Sequence, residues 1–304
     1  MTGVRIAPDP PVPQRWTVLS LIEWASAFLA ARSFDESRLH VELMLGHVLS
    51  LKRIQLYLQF DRPLTASELA AFKVLFTQRL EHVPLQYILG ETEFMGVTLS
   101  VAPGVLIPRS ETELLVETAL KHAKASGKES MHVLDVGTGS GCIALGMAHE
   151  LPAVAVLGID NSEEALVIAR KNHERYPGLR VAFERHDIRT ASWPGGSFDF
   201  VLSNPPYIAP GEYETLEPEV RDHEPRAALT DEQDGLAYYR VLLSLAPRVL
   251  RPGGLLICEV GHGQADAVAS LAQTSGVHVV EIVPDLAGIP RVVVGVPFTY
   301  QTEG

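Results

Sequence analysis

Only two of the 304 residues are cysteine, Cys142 and Cys258, and they form no CxxC pair. That excludes a disulfide framework and a cysteine-based zinc site, and makes a reducing cytoplasm the simplest compartment. Long apolar runs are missing too: charges, glycine or proline interrupt them well before the roughly 20 residues a bilayer-crossing helix needs. The opening segment MTGVRIAPDPPVPQRW is proline-rich and lacks the apolar core of a signal peptide. The 11 histidines show no HExxH or paired spacing, so no metal is expected. Positive charge is scarce: 25 Lys and Arg against 37 Asp and Glu leave a net charge of −12. Such a balance suits neither a membrane surface nor a protein that grips nucleic acid mainly through phosphates. Apolar residues, at 46%, are plentiful enough for a buried core, which excludes disorder along the whole chain.

The charge is unevenly spread. Residues 1–90 carry 9 basic and 8 acidic side chains, whereas residues 91–304 carry 16 and 29. The acidity therefore belongs to the C-terminal two-thirds, which implies two regions with different tasks. Residues 1–15 read as a disordered tail. Trp16 to Arg32, Asp35 to Leu51 and Ser67 to Val83 each place apolar residues at helical spacing. Thr65-Ala66-Ser67-Glu68 fits a capping box, in which hydroxyl and carboxylate satisfy free N–H groups at a helix start. Residues 16–84 thus read as a small helical domain. Residues 85–109 read as a linker containing a β-hairpin, with Val97, Leu99 and Val101 on one face of ETEFMGVTLSV.

From Ser110 to the end, residues 110–304, the pattern alternates between helix and strand. Ser110-Glu111-Thr112-Glu113 fits a second capping box, opening a helix to about Ser126. Strand-like runs follow at Met131–Val136, Ala153–Ile159, Arg180–Glu184, Phe198–Ser203 and Leu255–Val260, with helical stretches between most of them. This predicts an α/β domain, doubly wound about a parallel sheet. Val277–Val283 and Arg291–Val296 are joined too closely for a crossover, so they read as a closing antiparallel pair. Such an ending suits a class I (Rossmann-like) methyltransferase better than a dehydrogenase.

Two motifs carry chemistry. The first strand runs through Asp135 into Gly137-Thr138-Gly139-Ser140-Gly141, a turn in which glycines admit left-handed backbone and close ligand approach. Asp160 ends the next strand, where a carboxylate can accept both hydroxyls of a ribose, and Asp187 follows the third, placed to meet an adenine edge. A dinucleotide fingerprint would need G-x-G-x-x-G, but its last position here is Cys142. Asp135 before the turn suits the positive charge of S-adenosylmethionine better than a pyrophosphate. The second motif, Asn204-Pro205-Pro206-Tyr207, follows the fourth strand. The Asn204 oxygen and a backbone carbonyl, that of Pro205, can accept both hydrogens of a planar NH₂ and hold its nitrogen in line with a methyl carbon. Tyr207 offers a flat face to a planar group. Adenine N6, guanine N2 and a glutamine amide all present such an NH₂, so the residues alone leave the acceptor open. The acid-rich stretch Glu212 to Gly235 reads as a solvated loop, and its place after this motif also suits a lid. Ser140 is a poor hydrolase nucleophile, since its loop fits a cofactor and no Asp and His can be assigned to it.

HVPLQYILGETEF (82–94), VLIPRSETELLV (105–116), VLDVGTGSGCIAL (133–145), FDFVLSNPPYI (198–208) and EPRAALTDEQDGLAYYR (224–240) together resemble the glutamine N5-methyltransferases of peptide chain release factors, the HemK-type proteins. Asn-Pro-Pro-Tyr is shared with DNA and RNA amino-methyltransferases, whereas PLQYILG and IPRSETE are selective. The resemblance implies that Gly137 to Gly141, Asp160, the position after Asp187 (here Ile188) and Asn204 hold S-adenosylmethionine, leaving S-adenosylhomocysteine as product. It implies that Asn204 to Tyr207 bind a glutamine in the Gly-Gly-Gln loop of a class 1 release factor, and that the helical domain helps dock that partner. A monomer acting on protein rather than nucleic acid is expected. Two positions depart from the family pattern: Ser110 stands where proline is usual, and aliphatic Ile188 where an aromatic is common. A DNA or RNA amino-methyltransferase, or a catalytically silent module that binds ribosome or release factor, are the alternatives.

Overall fold

The computed structural model describes residues 9–189 and 197–298. The chain forms two compact units that divide between Leu89 and Gly90. Among the described residues, no helix is long and apolar enough to cross a membrane.

The first unit is helical: α1 (Val18–Ala30), α2 (Ser37–Leu49), α3 (Arg53–Tyr57), α4 (Ala66–Leu80) and α5 (Leu85–Leu89). The capping box before α4 forms as its spacing predicts, with the Thr65 hydroxyl accepting from Glu68 N and Glu68 Oε2 accepting from Thr65 N. Trp24 and Phe28 of α1 meet Phe76 of α4 with ring centroids 5.7 to 6.1 Å apart, closing the small core. Part of the tail is tied down rather than disordered. Trp24 Nε1 donates to the Pro10 carbonyl (3.1 Å) and Asp9 pairs with Arg32 (2.7 Å). Residues 1–8 of that expected tail lie outside the described residues. Residues 85–89, expected in the hairpin linker, are helical, and the strands begin only at Glu91.

The second unit opens with that hairpin, β1 (Glu91–Phe94) and β2 (Val97–Ser100), turned at Met95-Gly96 with both residues at positive φ. Its buried Phe94, Val97 and Leu99 join the larger domain's core. There follow α6 (Ser110–Ser126), β3 (Met131–Val136), α7 (Cys142–Glu150), β4 (Val154–Asp160), α8 (Glu163–Glu174), β5 (Val181–Arg185) and β6 (Phe198–Ser203). Then come α9 (Pro210–Tyr213), α10 (Pro218–His223), α11 (Arg226–Leu229), α12 (Ala237–Val249), β7 (Leu250–Glu259), α13 (Ala265–Thr274), β8 (Val277–Pro284) and β9 (Pro290–Pro297).

The strands form one seven-stranded sheet in the order β5-β4-β3-β6-β7-β9-β8. β3 pairs parallel with β4 and β6, and β9 runs antiparallel between β7 and β8, the closing pair anticipated from the short connection. Side chains alternate across a strand, so β3 feeds two cores: Val133 packs with α6 and α7, Leu134 with α12 and α13.

Two expectations fail locally. The helix α6 begins with Arg109, not Ser110, at its N-cap, and no side chain caps it. Ser110 occupies the first helical position, where its hydroxyl donates to Glu111 Oε2 (3.0 Å). That is a position where proline also fits, its missing N–H costing nothing at the first helical turn. The stretch 212–235 is no open loop either: it contains the second half of α9 and all of α10 and α11. Asp231 ends it by accepting from the backbone N–H groups of Gln233, Gly235 and Ala237.

Candidate active site

In a parallel sheet all C-terminal strand ends share one edge, and there ligands meet the fold. Here β3, β4, β5 and β6 deliver Gly137, Asp160, Asp187 with Ile188, and Asn204 to a single cavity of about 310 Å³. Gly137 (φ 73°) and Gly139 (φ 54°) line it in the left-handed region, and a Cβ at Gly137 would meet no protein atom within 4 Å. The turn thus leaves a bare backbone cradle facing the cavity. Asp160 is fixed by two backbone donors, Gly139 N to Oδ2 and Ser162 N to Oδ1, each at 2.9 Å. Each oxygen keeps a lone pair for a ligand hydroxyl. Asp187 reaches the cavity wall, but Arg189 donates to both its oxygens (3.0 and 2.8 Å) and holds its carboxyl below the usual carboxylate range. Ile188 gives the cavity an aliphatic surface.

The structure separates the remaining expected residues from this cavity. Thr138 and Ser140 are buried beneath the turn, and Gly141 supports it from behind, where an added Cβ would lie 2.8 Å from the Phe183 ring. Asp135 does not face the cavity: it is fully buried, and its Oδ2 accepts the Thr138 hydroxyl at 2.6 Å. Its role is to pin the turn, because the residue two places before Gly137 lies inside the sheet. Asn204, Pro205 and Pro206 line the cavity, whereas the Tyr207 ring packs into the core beside α12 and α13, with its hydroxyl toward Glu259. A flat platform at Tyr207 for a planar group is therefore not part of this cavity.

Burial pushes the Asp135 carboxyl up to about 7, and Oδ1 has no hydrogen-bond partner. Its pKa in the folded state is raised above that of the unfolded chain. The stability it contributes is therefore fully present in acid and lost as pH rises through about 7. Asp135→Asn, a neutral isostere, should raise the unfolding free energy at pH 8, read from the urea midpoint, by at most about 4 kcal/mol from the linkage. The gain should shrink toward pH 5. A midpoint difference independent of pH would show that the charge is not what costs stability.

Sequence reasoning missed three residues here. Glu224, 5% exposed, accepts from Ile107 N (3.1 Å) and pairs with Arg109. It thereby joins the wall formed by Gly104, Val105 and Leu106 to the wall formed by Pro225, Ala227 and Ala228. Thr112 and Glu259, both 2% exposed, lie behind Asn204. Asn204 Nδ2 donates to Thr112 Oγ1 (3.0 Å), and Thr112 Oγ1 donates to Glu259 Oε2 (2.7 Å). Burial lifts the Glu259 carboxyl to about 7. Among the described residues, no three His, Cys, Asp or Glu side chains converge as a metal would require.

This strand order, with a glycine turn ending β3 and an Asn-Pro-Pro segment ending β6, defines a class I, Rossmann-like methyltransferase carrying an N-terminal helical domain. Family models agree: one described as a methyltransferase domain matches residues 127–280, and one described as the PrmC N-terminal domain matches residues 20–90. A release factor glutamine methyltransferase of Geobacter sulfurreducens is 42% identical over 285 residues, 93% of this chain and 98% of its own. That of Chlorobaculum tepidum is 45% identical over 267 residues (86% and 90%), and that of Nitratidesulfovibrio vulgaris 41% over 278 (90% and 93%). The chain belongs to the release factor glutamine methyltransferase family.

Proposed function

We propose that this chain methylates the side-chain amide nitrogen of the glutamine in a release factor's Gly-Gly-Gln loop, using S-adenosylmethionine bound in the cavity at the strand ends. The observation that carries the reading is the position of Asn204. It lines the same cavity as Gly137, Gly139 and Asp160, and its NH₂ is already committed to Thr112, which leaves Oδ1 as an acceptor. The donor set fits the cofactor: a bare glycine cradle, a fixed carboxylate for two ribose hydroxyls, and apolar Ile188 and Leu242 for a base. When bound, the cofactor supplies an activated methyl group on a sulfonium.

The chain's own work is to hold the acceptor. Asn204 Oδ1 and the Pro205 carbonyl accept the two amide hydrogens and favour lone-pair character on the nitrogen as the N–C bond forms. Methyl transfer would leave the cofactor as a neutral thioether, and the nitrogen held by Asn204 and Pro205 would give up one N–H proton to solvent. No covalent enzyme intermediate is required. In-line placement inside a walled cavity supplies the rate.

Incubation with labelled S-adenosylmethionine and either a class 1 release factor or total RNA and DNA tests the substrate class. Label is expected on the release factor and is lost when its glutamine is replaced. Label on nucleic acid alone would overturn the reading.

A further inference from the structure

The Asn204 amide is nearly symmetric in shape, and turning it over exchanges an acceptor for a donor. With NH₂ toward the cavity, it would repel the hydrogens of the reacting amide. Something must therefore set its direction. Register supplies the candidates. β6 and β7 run parallel with Ser203 beside Cys258, so the next residues, Asn204 and Glu259, leave the sheet edge side by side. The first turn of α6 brings Thr112 to both of them.

We infer that Glu259, acting through the Thr112 hydroxyl, is a positioning residue that locks Asn204 with its oxygen toward the substrate amide. The inference rests on the role proposed for Asn204 above. A carboxylate only accepts, so it claims the single Thr112 proton at 2.7 Å. The Thr112 oxygen is then left to accept, and it takes an N–H of Asn204 at 3.0 Å. Polarity passes along the chain one way: NH₂ inward, Oδ1 outward. Tyr207 reinforces it by donating its hydroxyl to the other Glu259 oxygen (3.4 Å), which gives that partly buried ring a task other than a stacking platform. Burial of Thr112 and Glu259 behind the site keeps water from offering Asn204 a different partner.

Glu259 is faced by Thr112 and Glu111 from α6, Tyr207 from beyond β6, Tyr239 from α12 and Arg291 from β9. Of these, Glu111 favours its protonation, while Arg291 and the Thr112 and Tyr207 hydroxyls oppose it. Once protonated, the carboxyl can donate to Thr112, whose proton is then free to turn toward Asn204 and reverse it. Turnover should consequently fall as pH drops through about 7.

Thr112→Val keeps the shape and removes the relay, whereas Thr112→Ser keeps the hydroxyl. Thr112→Val should lower kcat by ~10- to 100-fold through misorientation. Its S-adenosylmethionine affinity by calorimetry should stay near wild type, and it should lose the acidic limb of the kcat–pH profile. Thr112→Ser should restore most of the turnover and the limb. Wild-type kcat for Thr112→Val, or an equal loss in both variants, would overturn the relay. Should Thr112→Val fail to fold, a wild-type kcat that stays flat from pH 8 to below 6 would overturn it instead. Asn204→Ala separates the two claims. If that variant is inactive while Thr112→Val is normal, the relay alone falls; if it turns over normally, the proposed role of Asn204 falls first.

Discussion

Asn204→Ala is expected to lower methyl transfer to a release-factor glutamine by about 100- to 1000-fold, the range found when a preorganised polar group is removed from a transition state. The loss should fall on kcat. Asn204 shares the cavity with Gly137, Gly139 and Asp160, which the substitution leaves in place, so calorimetric affinity for S-adenosylmethionine should change little. Truncation also leaves the Thr112 hydroxyl without its amide donor, but the pair Thr112–Glu259 survives at 2.7 Å, so the fold should hold and the melting curve should stay two-state. The pattern to look for is a folded protein that binds cofactor and does not transfer methyl. Turnover within a few-fold of wild type would remove Asn204 from the chemistry and return the site to the rank of a cofactor cradle.

What made Asn204 legible in the sequence is local. A strand-like run ending in Asn-Pro-Pro, and another ending in Gly-x-Gly-x-Gly, each announce a C-terminal strand end, and a parallel sheet brings such ends to one edge. The alternating strands, the closing antiparallel pair and the capping box at Thr65 are likewise short-range patterns. Thr112 and Glu259 had no such signal. They stand 92 positions before and 55 after Asn204, and only the β6–β7 register and the first turn of α6 bring them together. Within its own segment Thr112 is the third residue of an apparent capping box, and Glu259 a lone acid at the end of an apolar strand.

Asp135 shows the opposite error. Its charge next to a glycine turn suggests a ligand contact, yet it is its neighbours Val136 and Gly137 that line the cavity, and the pleat turns Asp135 into the core, where it meets Thr138. The stretch 212–235 misled through composition. Its acids read as a solvated loop, but Pro218 at the first position of α10 starts a short helix within it. Its acids are not all solvated: Glu224 and Asp231 are buried, each taking backbone N–H groups. Asp231 takes its N–H groups from its own turn, whereas Glu224's partners Ile107 and Arg109 stand 117 and 115 positions away, a tertiary construction that no spacing rule within the segment encodes.

The wall behind Asn204 also depends on a residue without a side chain, and Gly235→Ala should be the most damaging small substitution in the unit. Gly235 sits at φ 76°, and a Cβ there would lie 2.4 Å from the Tyr207 carbonyl oxygen and 2.7 Å from Gln264 Nε2. Neither neighbour can simply swing away, since Gln264 Nε2 donates to that same carbonyl at 2.8 Å and Ile208 N donates to Leu229 O at 2.9 Å. Strain and overpacking together should cost about 2–4 kcal/mol, read as a shift in urea midpoint. Gly253 supplies the control: it has the same backbone (φ 77°) but nothing within 4 Å of an added Cβ, so Gly253→Ala carries only the left-handed penalty of about 1–2 kcal/mol. The difference between the two variants isolates the collision. Because the Tyr207 carbonyl is rigidly linked through Pro206 and Pro205 to Asn204, folded Gly235→Ala should also turn over more slowly, whereas Gly253→Ala should not. Equal destabilisation by the two substitutions, with kcat unchanged in both, would mean that the 229–235 segment only covers the Asn-Pro-Pro turn and does not hold it in place.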